Sequence, residues 1–135
     1  MAKTKKTTTE INLKDPQYYF NRELSWLEFN YRVLHEGLDE RTPLIERLKF
    51  LAIFSSNLDE FFMVRIAALR EQLEAKVTRL SPDGRTTQEQ LTAISQRLRP
   101  LVELQHHHFE QELRPLLTKY GIHILDYVEE QNQEA

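Results

Sequence analysis

The chain has 135 residues, of which 40% are hydrophobic and 29% charged, and its formal net charge is −3. This length suits one soluble globular domain with a buried core, and the mild acidic balance argues against a dedicated nucleic-acid-binding domain, which normally has a basic excess. A chain with no cysteine has neither disulfides nor thiolate metal sites, and no apolar stretch approaches the ~20 residues of a membrane span or forms the core of a secretory signal.

The sequence divides into a lead, a helical domain and a short C-terminal stretch. Residues 1–18 are mostly polar and predict a disordered lead. Between residues 19 and 120 glycine and proline are rare, and apolar residues recur at spacings of three and four. This pattern predicts an all-α fold, an antiparallel bundle of about four helices. Residues 121–135 are predicted to begin a following domain that is truncated here.

The first two predicted helices have recognisable start signals. Asn21 is a suitable N-cap for a first helix that runs to about Glu40. Thr42 as the cap and Pro43 in the first turn predict the start of a second helix, which ends near Phe54.

The third and fourth predicted helices flank a turn. The third runs from about Asn57 to Val77 and stops before the turn-forming sequence Ser-Pro-Asp-Gly at residues 81–84. The fourth runs from about Thr87 to Tyr120. Glycine follows at position 121, where helices commonly terminate. Two prolines are expected to kink or shorten this helix, at positions Pro100 and Pro115.

The stretch at residues 122–128 is apolar and rich in β-branched side chains, which is typical of a strand. No partner strand is evident upstream, and a lone strand leaves its backbone groups unpaired. We therefore interpret the chain as a piece whose sheet lies in a missing remainder. The alternative is that the stretch packs on the bundle as an extended segment.

Three polar residues, Ser55, Ser56 and Asn57, separate two apolar runs that otherwise resemble core helices. Ser56 and Asp59 stand at the spacing of a capping box, in which a hydroxyl accepts from an unpaired amide at a helix start. The polar group is therefore either a buried helix cap or a recognition site. In the first case Asn57 still has a carboxamide that the cap does not need.

Helical periodicity assigns apolar faces to the predicted helices. The first helix has a second apolar stripe opposite its core stripe, formed by Trp26, Phe29 and Val33, and an exposed aromatic stripe of this kind predicts a contact surface. Core positions are predicted in the third helix at Leu58, Phe62, Ile66, Leu69 and Leu73. In the fourth they are Leu91, Ile94, Leu98, Val102, Phe109, Leu113, Leu116 and Tyr120.

Other candidate chemistry is weak. Three consecutive histidines occupy positions 106–108, but neighbouring helical side chains diverge by about 100°, so they cannot converge on one metal ion and are predicted to be solvated. The basic residues Arg47, Lys49 and Arg65 are also predicted to lie on a solvated face. The sequence contains no self-contained active site, so we predict no catalytic residue and no metal site in this chain.

Two long motifs nevertheless carry a specific resemblance. The runs FNRELSWLEFNYRVL (residues 20–34) and PLIERLKFLAIFSSNLDEFFMVR (residues 43–65) closely resemble the N-terminal domain of bacterial polyphosphate kinase. The resemblance is strong over about residues 19–75, and beyond that it rests on helical architecture alone.

The resemblance implies an enzyme that moves the terminal phosphoryl group of ATP to and from polyphosphate through a phosphohistidine. The histidine nucleophile and the phosphate-binding residues of the family belong to later domains, so none of the five histidines here is assigned that role. Mg²⁺ would come with ATP and be bound by those domains. Implied partners are ATP, polyphosphate, the remaining domains of the same chain and a second copy, without nucleic acid or an integral membrane segment. The implied location is the cytoplasm, with peripheral association with the inner membrane as an option.

The resemblance also implies that this domain closes over the nucleotide without being catalytic. The family's adenine-binding asparagine falls on Asn57, whose carboxamide offers the donor and the acceptor that match an adenine edge. Ser56 and Arg65 are further candidates for nucleotide contacts. The alternative is a structural module that docks a domain or subunit through the stripe containing Trp26.

Overall fold

The structure is a computed structural model that describes residues 9–126. This part of the chain is all-helical, as predicted, and its three long helices are α1 (Arg22–Leu38), α2 (residues 44–74) and α3 (residues 87–119). Both α2 and α3 contain one π-helical turn, in which the backbone bonds span five residues instead of four. The segments of α2 are Leu44–Phe61, the π-turn Phe62–Ile66 and Ala67–Glu74. The segments of α3 are Thr87–His108, the π-turn Phe109–Leu113 and Arg114–Lys119.

The prediction of four helices is wrong because the predicted second and third helices are one continuous helix, α2. Ser55, Ser56 and Asn57 all lie inside Leu44–Phe61. None of them is a glycine or a proline, so the backbone ladder continues through them at little cost. The capping-box interpretation of Ser56 and Asp59 is therefore also wrong, since no helix begins at that point.

The predicted start of α1 is confirmed. The Asn21 side-chain oxygen accepts hydrogen bonds from the backbone N–H groups of Glu23 and Leu24, at 3.1 and 3.2 Å. The predicted cap of the next helix is wrong, because Pro43 occupies the cap position and no side chain bonds the first turn. Thr42 instead closes the preceding turn, with its backbone N–H bonded to the carbonyl of Asp39.

The last helix agrees with prediction at both ends. Thr86 caps it by accepting a bond from the Glu89 backbone N–H at 3.1 Å. Gly121 follows its end with a φ of +81°, in the left-handed region where glycine carries no steric penalty. The backbone N–H of Ile122 then bonds to the carbonyl of Leu117 at 2.9 Å, which closes the helix end.

The segments outside the long helices depart from the predictions. The predicted disordered lead includes a short 3₁₀ helix at Pro16–Tyr18, capped by Asp15; residues 1–8 lie outside the described residues. Residues 122–126 form no strand with the rest of the described chain, so the prediction that they pair with strands of a following domain stays untested; residues 127 and 128 lie outside the described residues. Arg114 instead donates to the carbonyl oxygen of Ile124 at 2.7 Å, so this stretch returns to the end of α3.

The helix α1 packs against both α2 and α3. It pairs with α2 in antiparallel register, because Trp26 stacks on Phe61 while Gly37, at the other end of α1, lies against Leu51. A Cβ atom at position 37 would collide with the Leu51 side chain and lie 3.0 Å from the carbonyl oxygen of Arg47. Glycine therefore permits the close approach of the two helices. The buried apolar residues are Leu27, Leu34, Leu51, Phe54, Leu58, Phe61, Ile66, Leu69, Ile94, Leu98, Leu101, Leu113 and Leu117.

Three predicted core positions are wrong; the π-turn of α2 accounts for Phe62, whereas Leu73 and Tyr120 lie at the ends of α2 and α3. Phe62, Leu73 and Tyr120 are exposed by 47, 41 and 69%. Each π-turn inserts one residue into the helical ladder and rotates everything beyond it by about 100°. In α2 the buried face therefore passes from Phe61 to Ile66, a step of five residues.

No helix among residues 9–126 combines the length and the apolar character that crossing a bilayer requires.

Candidate functional site

The centre of the α1–α2 interface contains a pair of asparagines. Asn57 is half-buried on α2, and its Nδ2 donates to Oδ1 of Asn30 on α1 at 3.0 Å. Asn30 is fully buried, and its own Nδ2 donates to the backbone carbonyl oxygen of Phe54 at 3.2 Å. No residue between 9 and 126 donates to Oδ1 of Asn57 in the structure. Asn57 therefore has one carboxamide oxygen available to a ligand.

An aromatic pair lies one helical turn from the asparagines. The rings of Trp26 and Phe61 are stacked, with centroids 4.6 Å apart and an interplanar angle of 3°. Trp26 is four residues before Asn30, and Phe61 is four residues after Asn57, so the aromatic pair continues the same interface. This packing fixes the two helix faces on which the asparagines lie.

The predicted contact stripe on α1 is only partly exposed. Trp26 and Val33 are half-buried, and the Trp26 ring is stacked on Phe61 within the domain. Phe29 is 48% exposed, and the Arg32 guanidinium lies 5.8 Å from its ring centroid. Of the three predicted interface residues, Phe29 thus offers the largest free apolar surface.

The two lower-ranked site candidates lie in different environments. Ser56 is exposed on α2. Arg65 lies in the π-turn, and its Nη1 donates to Oε1 of Glu23 at 3.0 Å. Glu23 is 6% exposed and stands in the first turn of α1, where a carboxylate is favoured by the helix dipole. Arg65 therefore has an ion-pair partner inside the domain, and a ligand would have to compete with Glu23 for it.

Arg47 and His108 were each predicted to be solvated, but together they form a second, buried polar cluster. Arg47 and His108 are 5 and 6% exposed, and an Arg47 Nη2–H faces Nε2 of His108 at 3.2 Å. Arg47 also donates to the carbonyl oxygen of Gly37 at 3.3 Å. The prediction failed because Arg47 lies on the face of α2 that approaches Gly37 of α1, and His108 reaches it from α3. Of the other residues predicted to be solvated, Lys49, His106 and His107 are exposed.

The geometry of this cluster fixes the protonation of His108. Since Arg47 can only donate, Nε2 of His108 is the acceptor and the ring proton lies on Nδ1, which faces the Glu112 carboxylate at 3.3 Å. The pKa of His108 is lowered because burial disfavours the imidazolium; Arg47 lowers it further, whereas Glu112 opposes the shift. His108 is therefore neutral in the folded domain near pH 7.

The lowered pKa of His108 makes stability depend on pH. The unfolded chain, with an ordinary histidine pKa of 6.5, binds more protons than the folded chain between the two pKa values. We expect the free energy of unfolding to be highest above pH 6.5, the ordinary histidine pKa, and to decrease as the pH falls below that value. Denaturant unfolding of the 135-residue chain between about pH 7.5 and pH 5.5 measures this slope, above the range in which most carboxylates titrate.

Two single variants provide the comparison. His108→Gln removes the titrating ring and is expected to flatten the slope, whereas His106→Gln removes an exposed ring of the same histidine run and is expected to leave the slope unchanged. Equal slopes in His108→Gln and the parent chain would show that another group is responsible.

No motif in the sequence pointed directly to Asn30. Its position is nevertheless informative, because Asn30 lies three residues after Leu27 and four before Leu34, both fully buried. An asparagine at that spacing faces the core and needs partners for its carboxamide. Counting polar residues on the apolar stripe of α1 would therefore have identified it.

The fold and these contacts define a class of protein. It is an all-helical domain in which an asparagine pair joins α1 to α2 and leaves the Asn57 Oδ1 without a donor among residues 9–126. Residues 9–126 contain no group of three or more histidine, cysteine or acidic side chains arranged to hold a metal ion.

Comparison with known proteins identifies the family. Residues 19–125 match the family model described as the polyphosphate kinase N-terminal domain, and the chain belongs to this family. It is 63% identical over 124 residues to a polyphosphate kinase of Synechocystis, covering 92% of this chain and 17% of that protein. It is 58% identical to the polyphosphate kinase of Thermosynechococcus vestitus over 93% of this chain and 17% of the relative.

The similarity extends beyond cyanobacteria. The polyphosphate kinase of Halalkalibacterium halodurans is 52% identical over 126 residues, which are 93% of this chain and 18% of that protein. The chain thus spans about one sixth of the length of these relatives. No solved structure matches it.

Proposed function

We propose that this chain is the nucleotide-side helical domain of a polyphosphate kinase, an enzyme that reversibly transfers the terminal phosphoryl group of ATP to polyphosphate. Its membership of the polyphosphate kinase N-terminal family and its similarity to proteins of that name support the proposal. The reacting groups, including a phosphorylated histidine and the residues that bind Mg²⁺, belong to the rest of the enzyme. The domain itself is not catalytic.

In this proposal Asn57 contacts the adenine ring. The observation that carries it is the free Oδ1 of Asn57, on a side chain that is half-buried and held from behind by Asn30. Oδ1 can accept from the adenine amino group, while the second N–H of the carboxamide can donate to a ring nitrogen. Ser56 and Arg65 are secondary candidates, of which Ser56 is the more accessible.

A domain that holds only the base can still affect the reaction. Phosphoryl transfer depends on positioning and on charge stabilisation more than on covalent help from the protein. Adenine contacts far from the phosphates would therefore act by orienting ATP. None of the five histidines is proposed as the nucleophile, and His108 in particular is buried against Arg47.

The location and partners follow from the same proposal. The enzyme is placed in the cytoplasm, because the chain has no cysteine and its substrates are intracellular phosphates. The proposed partners are ATP, polyphosphate, the remaining domains and a second copy of the enzyme. Peripheral association of the enzyme with the inner membrane is part of the same proposal.

An ATP titration tests whether nucleotide binding requires the rest of the enzyme in addition to this domain. Because one wall of a cleft provides few contacts, we expect ATP with Mg²⁺ to bind the full-length enzyme in a calorimetric titration. The 135-residue chain should show no saturable change in the fluorescence of Trp26, its single tryptophan. Phosphoryl transfer catalysed by the 135-residue chain alone would contradict the proposal.

A structural docking role is the second candidate, favoured by the 48% exposure of Phe29. In that case the α1 stripe contacts another domain or subunit, and Asn57 serves only the interface with Asn30. Replacing Phe29 with alanine would then impair the assembly of the full-length enzyme, whereas replacing Asn57 would not affect its use of ATP.

A further inference from the structure

Asn30 is a buried polar residue that the packing of the core does not require. It is fully buried among leucines and aromatic rings, where leucine would fill a similar volume without polar atoms to satisfy. Its carboxamide bonds to Phe54 and to Asn57. Asn30 therefore connects the backbone of α2 to Asn57, whose free Oδ1 is the acceptor in the proposed adenine contact.

The backbone of α2 determines the orientation of the Asn30 and Asn57 carboxamides. A peptide carbonyl can only accept, so the group of Asn30 that faces the Phe54 carbonyl oxygen must be Nδ2–H. Oδ1 of Asn30 must then face Asn57, and an acceptor in that position requires a donor in return. The Nδ2 of Asn57 consequently points inward to Asn30, and Oδ1 of Asn57 stays free.

This fixed orientation matters for recognition of a base. On the Watson–Crick edge, adenine presents an amino donor beside a ring acceptor, whereas guanine presents an oxo acceptor beside an N–H donor. A carboxamide that can turn by 180° exchanges its oxygen and nitrogen and can match either base. A carboxamide held with its oxygen outward matches adenine and places two acceptors face to face with guanine.

We propose that Asn30 is a positioning residue that gives the enzyme its preference for adenine over guanine nucleotides, by holding the Asn57 carboxamide in one orientation. The inference rests on the proposed contact between Asn57 and the base. Asn30 itself touches no nucleotide. Its effect should therefore appear in the choice between ATP and GTP and should disappear when Asn57 is absent.

The test uses the full-length enzyme with ATP and GTP as competing substrates. Asn30→Leu frees the Asn57 carboxamide to rotate and is expected to lower the ratio of kcat/KM for ATP to that for GTP about tenfold, the equivalent of one lost hydrogen bond. In the Asn57→Ala background the same change should leave the ratio as it is.

Gln105→Leu is the matched control. Gln105 also donates its carboxamide to a backbone carbonyl of α2, that of Leu51 at 2.9 Å, and to Ser55 Oγ, but it has no bond to Asn57. Its loss should lower stability without altering the nucleotide ratio. Should Asn30→Leu not fold, Asn30→Ser keeps a hydroxyl at that position but is too short to hold Asn57, and it serves in the same comparison.

The outcomes separate this inference from the proposed function. If Asn57→Ala impairs the use of ATP but Asn30→Leu or Asn30→Ser leaves the ratio unchanged, Asn30 is not a positioning residue while the adenine contact stands. A fall in the ratio that is equally large in Gln105→Leu also overturns the inference. If Asn57→Ala has no effect with ATP, the adenine contact fails first and the inference fails with it.

Discussion

Replacement of Asn57 with alanine in the full-length enzyme is expected to lower kcat/KM for ATP by about 10-fold or more, mainly through a higher KM. The variant removes the carboxamide oxygen that is free of partners in the domain and the N–H that bonds to Asn30. Two hydrogen bonds to the base, each worth about 1 kcal/mol, account for a change of this size. Steady-state kinetics with ATP as the varied substrate measure it.

The stability of the same variant decides between the two candidate functions. Because Asn57 is half-buried, water can reach Oδ1 of Asn30 once the side chain is gone, and we expect a loss of only about 1 kcal/mol in the free energy of unfolding. Ser56→Ala, at the exposed neighbouring position, is the kinetic control. A large loss of stability together with an unchanged KM would favour the structural docking role.

Replacement of Phe54 with alanine should be the most destabilising of the changes considered. Its ring is fully buried between the helices, and truncating a core phenylalanine costs about 3–5 kcal/mol through lost transfer energy and the cavity left behind. That is a large part of the 5–15 kcal/mol that typically stabilises a domain. Denaturant unfolding of the 135-residue chain measures the change.

Phe29→Ala is the matched control, since it makes the same substitution at a side chain that is 48% exposed. We expect it to change the free energy of unfolding of the 135-residue chain by no more than about 0.5 kcal/mol. Similar losses in the two variants would mean that the α1–α2 interface is not the core described here.

Local sequence signals predicted the helical class and several helix ends. The Asn21 cap and the Gly121 terminus depend on one residue and its immediate neighbours, and both are present in the structure. The number of helices was less accessible, because the polar group at residues 55–57 resembles a helix boundary in composition. The structure shows instead that these residues lie inside one helix and that two of them bond to its neighbours. Ser55 accepts from Gln105 of α3, and Asn57 donates to Asn30 of α1.

The π-turns limited what periodicity could predict. A single period of 3.6 residues predicted Ile66 and Leu69 correctly as buried, but it also placed Phe62 on the buried face of α2, where the π-turn leaves Phe61 buried instead. In α3 the π-turn ends at Leu113, two residues before Pro115. Since proline has no N–H for the ladder, the insertion there has a local cause. The π-turn in α2 contains no proline, and no feature of its sequence predicts it.

The candidate site was predicted in part. The resemblance between motifs drew attention to Asn57, while the contact with Asn30 depends on how α1 and α2 pair. The buried position of Arg47 was inaccessible for the same reason, since arginine is almost always exposed and only the approach at Gly37 accounts for its bond to His108. In general, contacts within one helix were predictable and contacts between helices were not.

The central claim is that Asn57 binds the adenine amino group, and one set of kinetic measurements tests it most directly. The full-length enzyme and its Asn57→Ala variant are each assayed with ATP and with purine riboside triphosphate, which is ATP without the 6-amino group. We predict that loss of the amino group lowers kcat/KM severalfold in the parent enzyme and hardly at all in the variant, because the two changes remove the same hydrogen bond. An equal loss in both enzymes would contradict the claim.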